Sequence, residues 1–187
     1  RITCYLIDRS RGYDVAESVI GADYAGTLIH DGWRPYDNFA FARHQQCLNH
    51  LLTRCKHLLR TATAGAVRFP RQVQSLLRDA LAVRDRRDGG QLAPHGLACC
   101  VGRLNARLAR LLCWTRANPD NERLAGHLDR HQNQLFTFLT VPRIDATNHR
   151  AEQSIRPDVL ARKISGGSRT ERGALAHACL TTADQSA

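Results

Sequence analysis

Apolar runs and one helical stripe alternate with polar segments along the first third of the chain. Residues 2–7 and 26–30 are short runs with the character of strands, bounded by polar or turn-forming positions, and the mostly polar residues 43–47 are the candidate for another short strand. Between the first two runs, the apolar residues of 15–20 have helical spacing, and a further helix is predicted over 48–59. This succession of strand, helix and strand is typical of an α/β sheet.

The middle of the chain has a different period. From residue 70 onward, apolar side chains recur every three or four positions, which is the spacing of amphipathic helices. Stripes at 73–81 and 97–111 predict two helices, and a third helix is predicted over 122–139. The charged stretch 84–90 between the first two predicts a solvated, flexible loop. This part of the chain is therefore predicted to be all-helical.

The last part of the chain predicts two more helices. One runs from about residue 149 to Pro157, and a final short helix covers 173–180. Between them, 161–170 is basic and contains two consecutive glycines. Such a segment either brings backbone amides close to phosphate groups or forms an ordinary turn, and the sequence leaves both interpretations open.

The charge of the chain narrows the class of partner. The 27 Lys and Arg residues outnumber the 17 Asp and Glu residues, which gives a formal charge of +10, and nearly all the cations are arginines. An Arg-rich surface favours partners that carry phosphate, such as nucleic acid. The alternative is a solvated surface whose charge keeps the protein soluble, so charge alone does not decide between the two.

The composition also bears on the compartment and on the extent of the chain. No apolar run reaches the roughly 18 to 20 residues that a membrane-spanning helix needs, so we expect no membrane association. The 7 cysteines have irregular spacing, which indicates reduced thiols in a cytoplasm. The chain contains no Met and opens on residues typical of the middle of a strand. We therefore expect it to be a piece of a longer protein.

Two carboxylates lie where chemistry is often placed. Asp31 follows the strand predicted at 26–30, and ligand and metal sites gather at the carboxyl ends of strands in α/β proteins. Glu152 lies beside the apolar face that Ala151 and Ile155 form on a predicted helix. A carboxylate at this margin either points into a site or simply faces water.

A cysteine and a histidine, Cys47-x-x-His50, form a third candidate. With His44 before the pair and Cys55 and His57 after it, zinc binding is one interpretation, because Cys and His at such spacing ligate zinc. No second clean pair lies elsewhere in the chain. The other interpretation is a buried cysteine beside a histidine that caps a helix.

Four segments together resemble the transposases of the insertion sequence 66 family. In chain order they are LIHDGWRPY at 28–36, CLNHL at 47–51, TNHRAEQSIRP at 147–157 and RKISGG at 162–167. The resemblance extends from about Ser10 to about Leu180, in the order of the family. It therefore covers nearly the whole chain.

The resemblance implies a DDE-type bacterial DNA transposase, located in the cytoplasm, with a ribonuclease-H-like catalytic core. The implied fold class is α/β, with an incomplete ribonuclease-H-like sheet and an all-helical insertion before the last catalytic residue. Residues 1–60 would form the first part of the core and 61–140 the helical insertion. Residues 141–187 would complete the core with its catalytic helix and basic segment.

The resemblance also implies the chemistry of the site. Asp31 would be the second and Glu152 the third of three carboxylates that hold two Mg²⁺ or Mn²⁺ ions for DNA cleavage and strand transfer. By likeness to related transposases, Cys47 and His50 would lie near the active site. The enzyme would act as a homo-oligomer assembled on transposon ends and target DNA. The residues implied to face the DNA backbone are Arg150, Arg156, Arg162, Lys163 and Arg169.

Two features depart from the family pattern. His149 stands where the family usually has Asn or an aromatic residue. The first catalytic Asp of the family has no counterpart, because Asp8 and Asp14 follow the opening strand in a turn and at the start of a helix. We therefore expect this chain by itself to bind DNA without cutting it. The rival hypotheses are a catalytically dead DNA-binding remnant of a transposase and, more remotely, a ribonuclease or a structural nucleic-acid-binding protein.

Overall fold

The computed structural model describes residues 4–114, 116–168 and 170–186. The chain is mostly helical and contains a small parallel sheet of two strands, which is an α/β composition. Two compact units can be distinguished. Unit 1 contains residues 1–26, 33–42 and 148–187, and unit 2 contains residues 27–32 and 43–147. Among the helices of the described residues, none combines the length and the apolar composition that a bilayer crossing requires.

The elements in chain order are α1 (Tyr13–Ile20), β1 (Thr27–His30), β2 (Arg43–Gln46), α2 (Leu48–Thr61), α3 (Arg68–Asp88), α4 (Pro94–Leu112), α5 (Pro119–Arg130), α6 (Thr137–Thr140), α7 (His149–Ser165) and α8 (Glu171–Ser186). Short 3₁₀ turns cover Arg34–Asn38, Ala64–Val67 and Gln132–Gln134. β1 and the helices α1 to α4 lie where the hydrophobic pattern predicts them, and β2 lies within the strand predicted over 43–47.

The two strands of unit 2 are parallel neighbours. The register places Thr27 of β1 opposite Arg43 of β2, and His30 opposite Gln46. Because the strands run in the same direction, they end at the same edge of the sheet. The residues that follow β1 and β2 are therefore brought together at this edge.

The hydrophobic core of the described residues lies mainly in unit 2. The helices α2 to α5 form there because apolar residues recur along one face of each, and these faces pack on one another. Fully burying a Leu or Phe side chain contributes roughly 1.5–3 kcal/mol, so this cluster dominates the stability of the unit. Its fully buried members include Leu48, Val73, Leu76, Leu77, Leu124, Leu128, Leu135 and Phe138.

A buried glutamine joins the sheet to the segment after α5. Gln45 on β2 is 0% exposed. Its Nε2 donates to the carbonyl oxygens of Gln46, at 2.7 Å, and Leu135, at 3.0 Å. Its Oε1 accepts a hydrogen bond from the backbone N–H of Phe138 at 2.8 Å. One side chain therefore satisfies three backbone groups that would otherwise be buried without partners.

Unit 1 contains α1, α7 and α8 and has few buried apolar side chains among the described residues. The ring of Phe39 is fully buried and lies 5.1 Å from the ring of Tyr13 on α1. The hydroxyl of Tyr5 donates to a backbone carbonyl of α7, and its amide donates to Thr182 Oγ1 of α8 at 3.0 Å. Tyr5 therefore contacts both of the long helices of this unit.

Two predictions for the first half of the chain are wrong. Residues 4–7 of the predicted opening strand form no strand, and residues 2 and 3 lie outside the described residues. Residues 84–88, predicted as a loop, continue α3. In this last turn Arg87 donates to the carbonyl oxygen of Phe138 at 2.6 Å, which joins the turn to α6 within unit 2. The chain turns only at Gly89 and Gly90.

Two predictions for the second half also need correction. The helix predicted over 122–139 is broken into α5, which ends at Arg130, a 3₁₀ turn and α6, and the backbone N–H of Phe138 at the start of α6 donates to Gln45. The helix predicted to end at Pro157 continues to Ser165, since the missing N–H of a proline removes one hydrogen bond without ending α7. Gly166, with φ of +74°, ends that helix as a left-handed C-cap.

Candidate functional site

Asp31 follows β1 at the carboxyl edge of the parallel sheet, and its side chain is exposed. Cys47 follows β2 at the same edge. The amide of Cys47 donates to the carbonyl oxygen of His30 at 2.7 Å, which extends the strand pairing by one residue. Unit 2 therefore brings Asp31 and Cys47 to the edge where α/β proteins place their ligand sites.

Gly32 makes the turn after Asp31 possible. Its φ is +87°, in the region that favours glycine. A Cβ atom at this position would lie 2.6 Å from Oε1 of Gln46 and 2.6 Å from Cε1 of His127. The chain therefore leaves β1 through a gap that only a residue without a side chain fits.

A pair of histidines supports the strand end next to Asp31. His30 is 3% exposed, and its Nε2 lies 3.0 Å from Nδ1 of His44. The backbone N–H of Gly32 donates to Nδ1 of His30 at 3.2 Å. Because Nδ1 accepts this hydrogen bond, a neutral His30 carries its proton on Nε2 and donates it to His44.

A second pair of histidines lies at the end of α5, His127 in its last turn and His131 at its C-cap. The rings of His127 and His131 are 4.7 Å apart, and His131 is 1% exposed. Nδ1 of His131 lies 3.1 Å from Oε1 of Gln134, and the same oxygen accepts from Nε2 of Gln46 at 2.7 Å. Sequence analysis did not single out His127 or His131. The feature of the sequence that could have indicated this pair is their spacing of four residues within a predicted helix, which places both side chains on one face.

Cys47 and His50 are not joined by neighbouring side chains into a group of three metal ligands within the described residues. Cys47 is 1% exposed and occupies the N-cap position of α2, whereas His50 is exposed in the first turn. Within the described residues, no three His, Cys, Asp or Glu side chains form a group that could hold a metal ion. His44, Cys55 and His57 therefore do not complete a zinc site with this pair. The buried-cysteine interpretation fits Cys47, although the cap is Cys47 and not His50.

Cys55 is a buried thiol of the same helix. This residue lies on α2 with 0% exposure, and burial raises the pKa of its thiol to about 11, with Arg54 opposing the shift. The thiol is therefore protonated at neutral pH.

Glu152 lies in unit 1, in the first turn of α7, and is half-buried. Its amide donates to the carbonyl oxygen of Asn148 at 3.0 Å, which begins the helix. A carboxylate in a first turn is stabilised by the positive end of the helix dipole. Asp31 and Glu152 thus belong to different units, each at the end or the beginning of a regular element.

Four of the five implied DNA-contacting residues are exposed on α7, and Arg169 lies outside the described residues. The helical period of about 3.6 residues places Arg156 and Lys163, at i+4 and i+11, on the same face as Glu152. Arg150 falls on roughly the opposite face, and Arg162 lies to one side. One face of α7 therefore carries a carboxylate and two cations.

The chain matches a family model over residues 1–176, and that family is described as the Transposase IS66 family. No curated protein and no solved structure matches the chain. The family match covers most of the 187 residues and includes all four segments that carry the resemblance seen in the sequence. The chain therefore belongs to the IS66 family of transposases.

Proposed function

We propose that this protein is a DNA transposase with a ribonuclease-H-like core that cleaves and joins DNA with the help of divalent metal ions. The observation that carries the proposal is the position of Asp31, at the carboxyl edge of a parallel strand pair and before a glycine turn. In this proposal, residues 1–60 and 141–187 contribute to the core. Residues 61–140 form its helical insertion.

The donor atoms suit magnesium or manganese. Asp31 and Glu152 offer carboxylate oxygens, which are the hard ligands that these ions prefer. Two such ions, when bound, activate a water or a DNA 3′-hydroxyl and stabilise the leaving oxygen of an in-line displacement. Among the described residues, no third side chain joins either carboxylate in a metal-binding group. Magnesium commonly takes one or two carboxylates and completes its shell with waters and substrate phosphates, so the donor set fits.

The backbone on both sides of Asp31 is held in place. On one side, the carbonyl oxygen of His30 accepts a hydrogen bond from the amide of Cys47, and the imidazole ring of His30 is hydrogen-bonded to His44. On the other side, the amide of Gly32 donates to the His30 ring. A fixed backbone limits the positions that the exposed carboxylate of Asp31 can reach, so less conformational freedom is lost when substrate binds.

The basic residues of α7 supply the proposed contacts to DNA. Arg156 and Lys163 share a face with Glu152, so they would neutralise phosphates beside that carboxylate. Arg150, Arg162 and Arg169 would add contacts to the backbone of the transposon ends or the target. Such contacts position DNA without reading its sequence. We further propose that the protein acts as a homo-oligomer, which holds two DNA ends at once.

The test is a strand-transfer assay with the protein encoded by the whole open reading frame that contains this chain. The substrate is DNA from the regions that flank this reading frame. We expect Asp31→Asn and Glu152→Gln each to lower joining by about 100-fold or more, since metal ligation contributes several kcal/mol to the transition state. Asp129→Asn, an exposed carboxylate on α5, is the matched control and should join normally.

Binding of the same DNA is measured in parallel by fluorescence anisotropy. We expect both carboxylate variants to bind within about 2-fold of the unsubstituted protein, because phosphate contacts come from the cations. Equal loss of binding and joining would contradict the separate roles of carboxylates and cations. Binding without any joining by the unsubstituted protein would favour the catalytically dead remnant.

A further inference from the structure

A groove of about 1030 Å³ opens in unit 2 between the start of α3, the end of α4 and the start of α5. None of the described residues that line it is acidic. The volume lies at the upper limit of the roughly 300–1,000 Å³ of small-molecule pockets, which leaves room for an extended ligand. Its charged and aromatic lining residues are Arg68, Phe69, Arg107, Arg110, Trp114 and Arg116.

Two of the four arginines are engaged within the protein. Arg107 pairs with Asp79 and donates to Oγ of Ser75 at 3.0 Å. The guanidinium of Arg116 lies 4.0 Å from the centre of the Phe69 ring and 3.8 Å from Oε2 of Glu122, and its nitrogens donate to backbone carbonyls. These contacts build the walls of the groove and do not leave either cation available for a ligand.

The other two arginines are available. Arg68 opens α3 and Arg110 lies in the last turn of α4, and both are exposed. Neither has a carboxylate partner within the described residues. The positive ends of α3 and α5 and the negative end of α4 meet the groove, so the helix dipoles partly offset one another and the positive charge comes from Arg68 and Arg110. The groove therefore presents uncompensated positive charge.

Trp114 adds an open aromatic surface to this charge. It follows α4 and is 77% exposed, whereas the other aromatic ring of the groove, Phe69, is 8% exposed and covered by Arg116. A large exposed ring beside cations is the combination with which proteins bind unpaired nucleotides. The base stacks on the ring while the phosphates contact the arginines.

We propose that this groove binds single-stranded DNA, with a base stacked on Trp114 and phosphates on Arg68 and Arg110. The inference rests on the proposed function, in which DNA is the substrate, and assigns a second DNA surface outside α7. An unpaired base has a free face for stacking, whereas the bases of a duplex are already stacked on one another. The groove therefore favours single strands over duplex.

The first experiment uses Trp114 as its own reporter. The chain has 2 tryptophans, Trp33 and Trp114, so a Trp33→Phe variant leaves Trp114 as the sole source of tryptophan fluorescence. We expect titration with an oligo-dT strand to quench this fluorescence to saturation. A duplex of equal length should quench much less. Binding of the strand, detected by anisotropy, without any quenching would overturn the proposal.

The second experiment removes the groove residues. Trp114→Ala should weaken oligo-dT binding by about 5-fold to 150-fold, and Trp114→Phe should retain much of it. The double variant Arg68→Ala/Arg110→Ala should reduce the slope of log K against log salt by about 1.4, or roughly 0.7 for each lost phosphate contact. The matched control, Arg78→Ala/Arg86→Ala, removes the same charge from exposed positions of α3 outside the groove. It should bind oligo-dT at least several-fold more tightly than the Arg68→Ala/Arg110→Ala variant.

Failure of this inference is distinguishable from failure of the proposed function. If groove variants bind like the unsubstituted protein while Arg156→Ala/Lys163→Ala loses affinity, the groove proposal is overturned and the α7 contacts stand. If the unsubstituted protein binds no DNA, both are wrong. Competition by polyglutamate as strong as that by oligo-dT would also overturn the groove proposal, because it would indicate an acidic partner. Circular dichroism shows whether each variant is folded. If a groove variant is not folded, the fluorescence titration of the Trp33→Phe protein decides the groove proposal.

Discussion

The imidazole of His127 lies against Gly32, so closely that a Cβ atom on that glycine would be 2.6 Å from Cε1 of the ring. His127 belongs to α5, in the part of the chain predicted as a helical insertion, whereas Gly32 is the residue after Asp31. The middle helices therefore do more than fill a core. One of them shapes the turn that carries the proposed catalytic carboxylate.

Gly32→Ala tests this packing. We expect the free energy of unfolding to fall by roughly 2–5 kcal/mol, because a positive φ costs about 1–2 kcal/mol outside glycine and overpacking adds about 1–3 kcal/mol. Gly90→Ala is the matched control in the same unit, since its φ is +70° and nothing lies within 4 Å of its Cβ position. Urea unfolding followed by circular dichroism measures both. Equal losses would show that His127 does not restrict the turn.

Gln45→Leu tests the hydrogen bonds that join β2 to the segment after α5. The substitution leaves the carbonyls of Gln46 and Leu135 and the amide of Phe138 without a partner. We expect a loss of about 3 kcal/mol or more in the free energy of unfolding, since an unsatisfied buried group costs roughly 1–3 kcal/mol.

The control for that prediction is Gln74→Leu on α3. Gln74 is 8% exposed, and its side chain makes no hydrogen bond within the described residues. We expect this substitution to change the free energy of unfolding by less than about 1 kcal/mol. If Gln45→Leu lowered the free energy of unfolding equally little, the three hydrogen bonds of Gln45 would contribute little to the stability of the unit.

The face that Arg156 and Lys163 share with Glu152 predicts a specific salt effect. We expect Arg156→Ala/Lys163→Ala to reduce the slope of log K against log salt for duplex DNA by about 1.8, or roughly 0.9 for each lost contact. Fluorescence anisotropy across a salt series measures the slope. Arg78→Ala/Arg86→Ala removes the same charge from α3, and an equal change in that variant would indicate only a general effect of net charge.

Cys55 predicts a loss of stability at alkaline pH. Its thiol has a folded-state pKa of about 11, above the ordinary value of 9.0, so only the unfolded chain releases the proton between these values. Below about pH 9, the Cys55 thiol should therefore cause no change of the free energy of unfolding with pH. It should fall by roughly 2–3 kcal/mol as the pH rises towards 11.

Urea unfolding at several values between pH 8 and pH 11 measures this dependence. Cys55→Ala removes the ionising group, so its stability should lack this part of the decline even though the variant is less stable overall. Cys99→Ala, at an exposed position of α4, should keep the decline of the unsubstituted protein. A decline of the same size in Cys55→Ala would assign the pH effect to other groups.

The sequence by itself determined the elements whose signals are local. The apolar spacing of α3 and α4 and the apolar run of β1 were sufficient, because a helix or a strand forms its periodic face from neighbouring residues. The family was also identifiable from the sequence, because its four segments are contiguous strings of residues. The position of Asp31 at the end of a strand followed from the same local pattern.

Only the tertiary structure decided the features that depend on distant residues. The hydrogen bond between the amide of Phe138 and Gln45 was not predictable, since Gln45 lies on a strand far away in the chain. The contact of His127 with Gly32 and the groove that joins Arg68 to Trp114 have no local signal either. Hydrophobic periodicity specifies which face of an element is buried, and packing alone specifies which residues meet there.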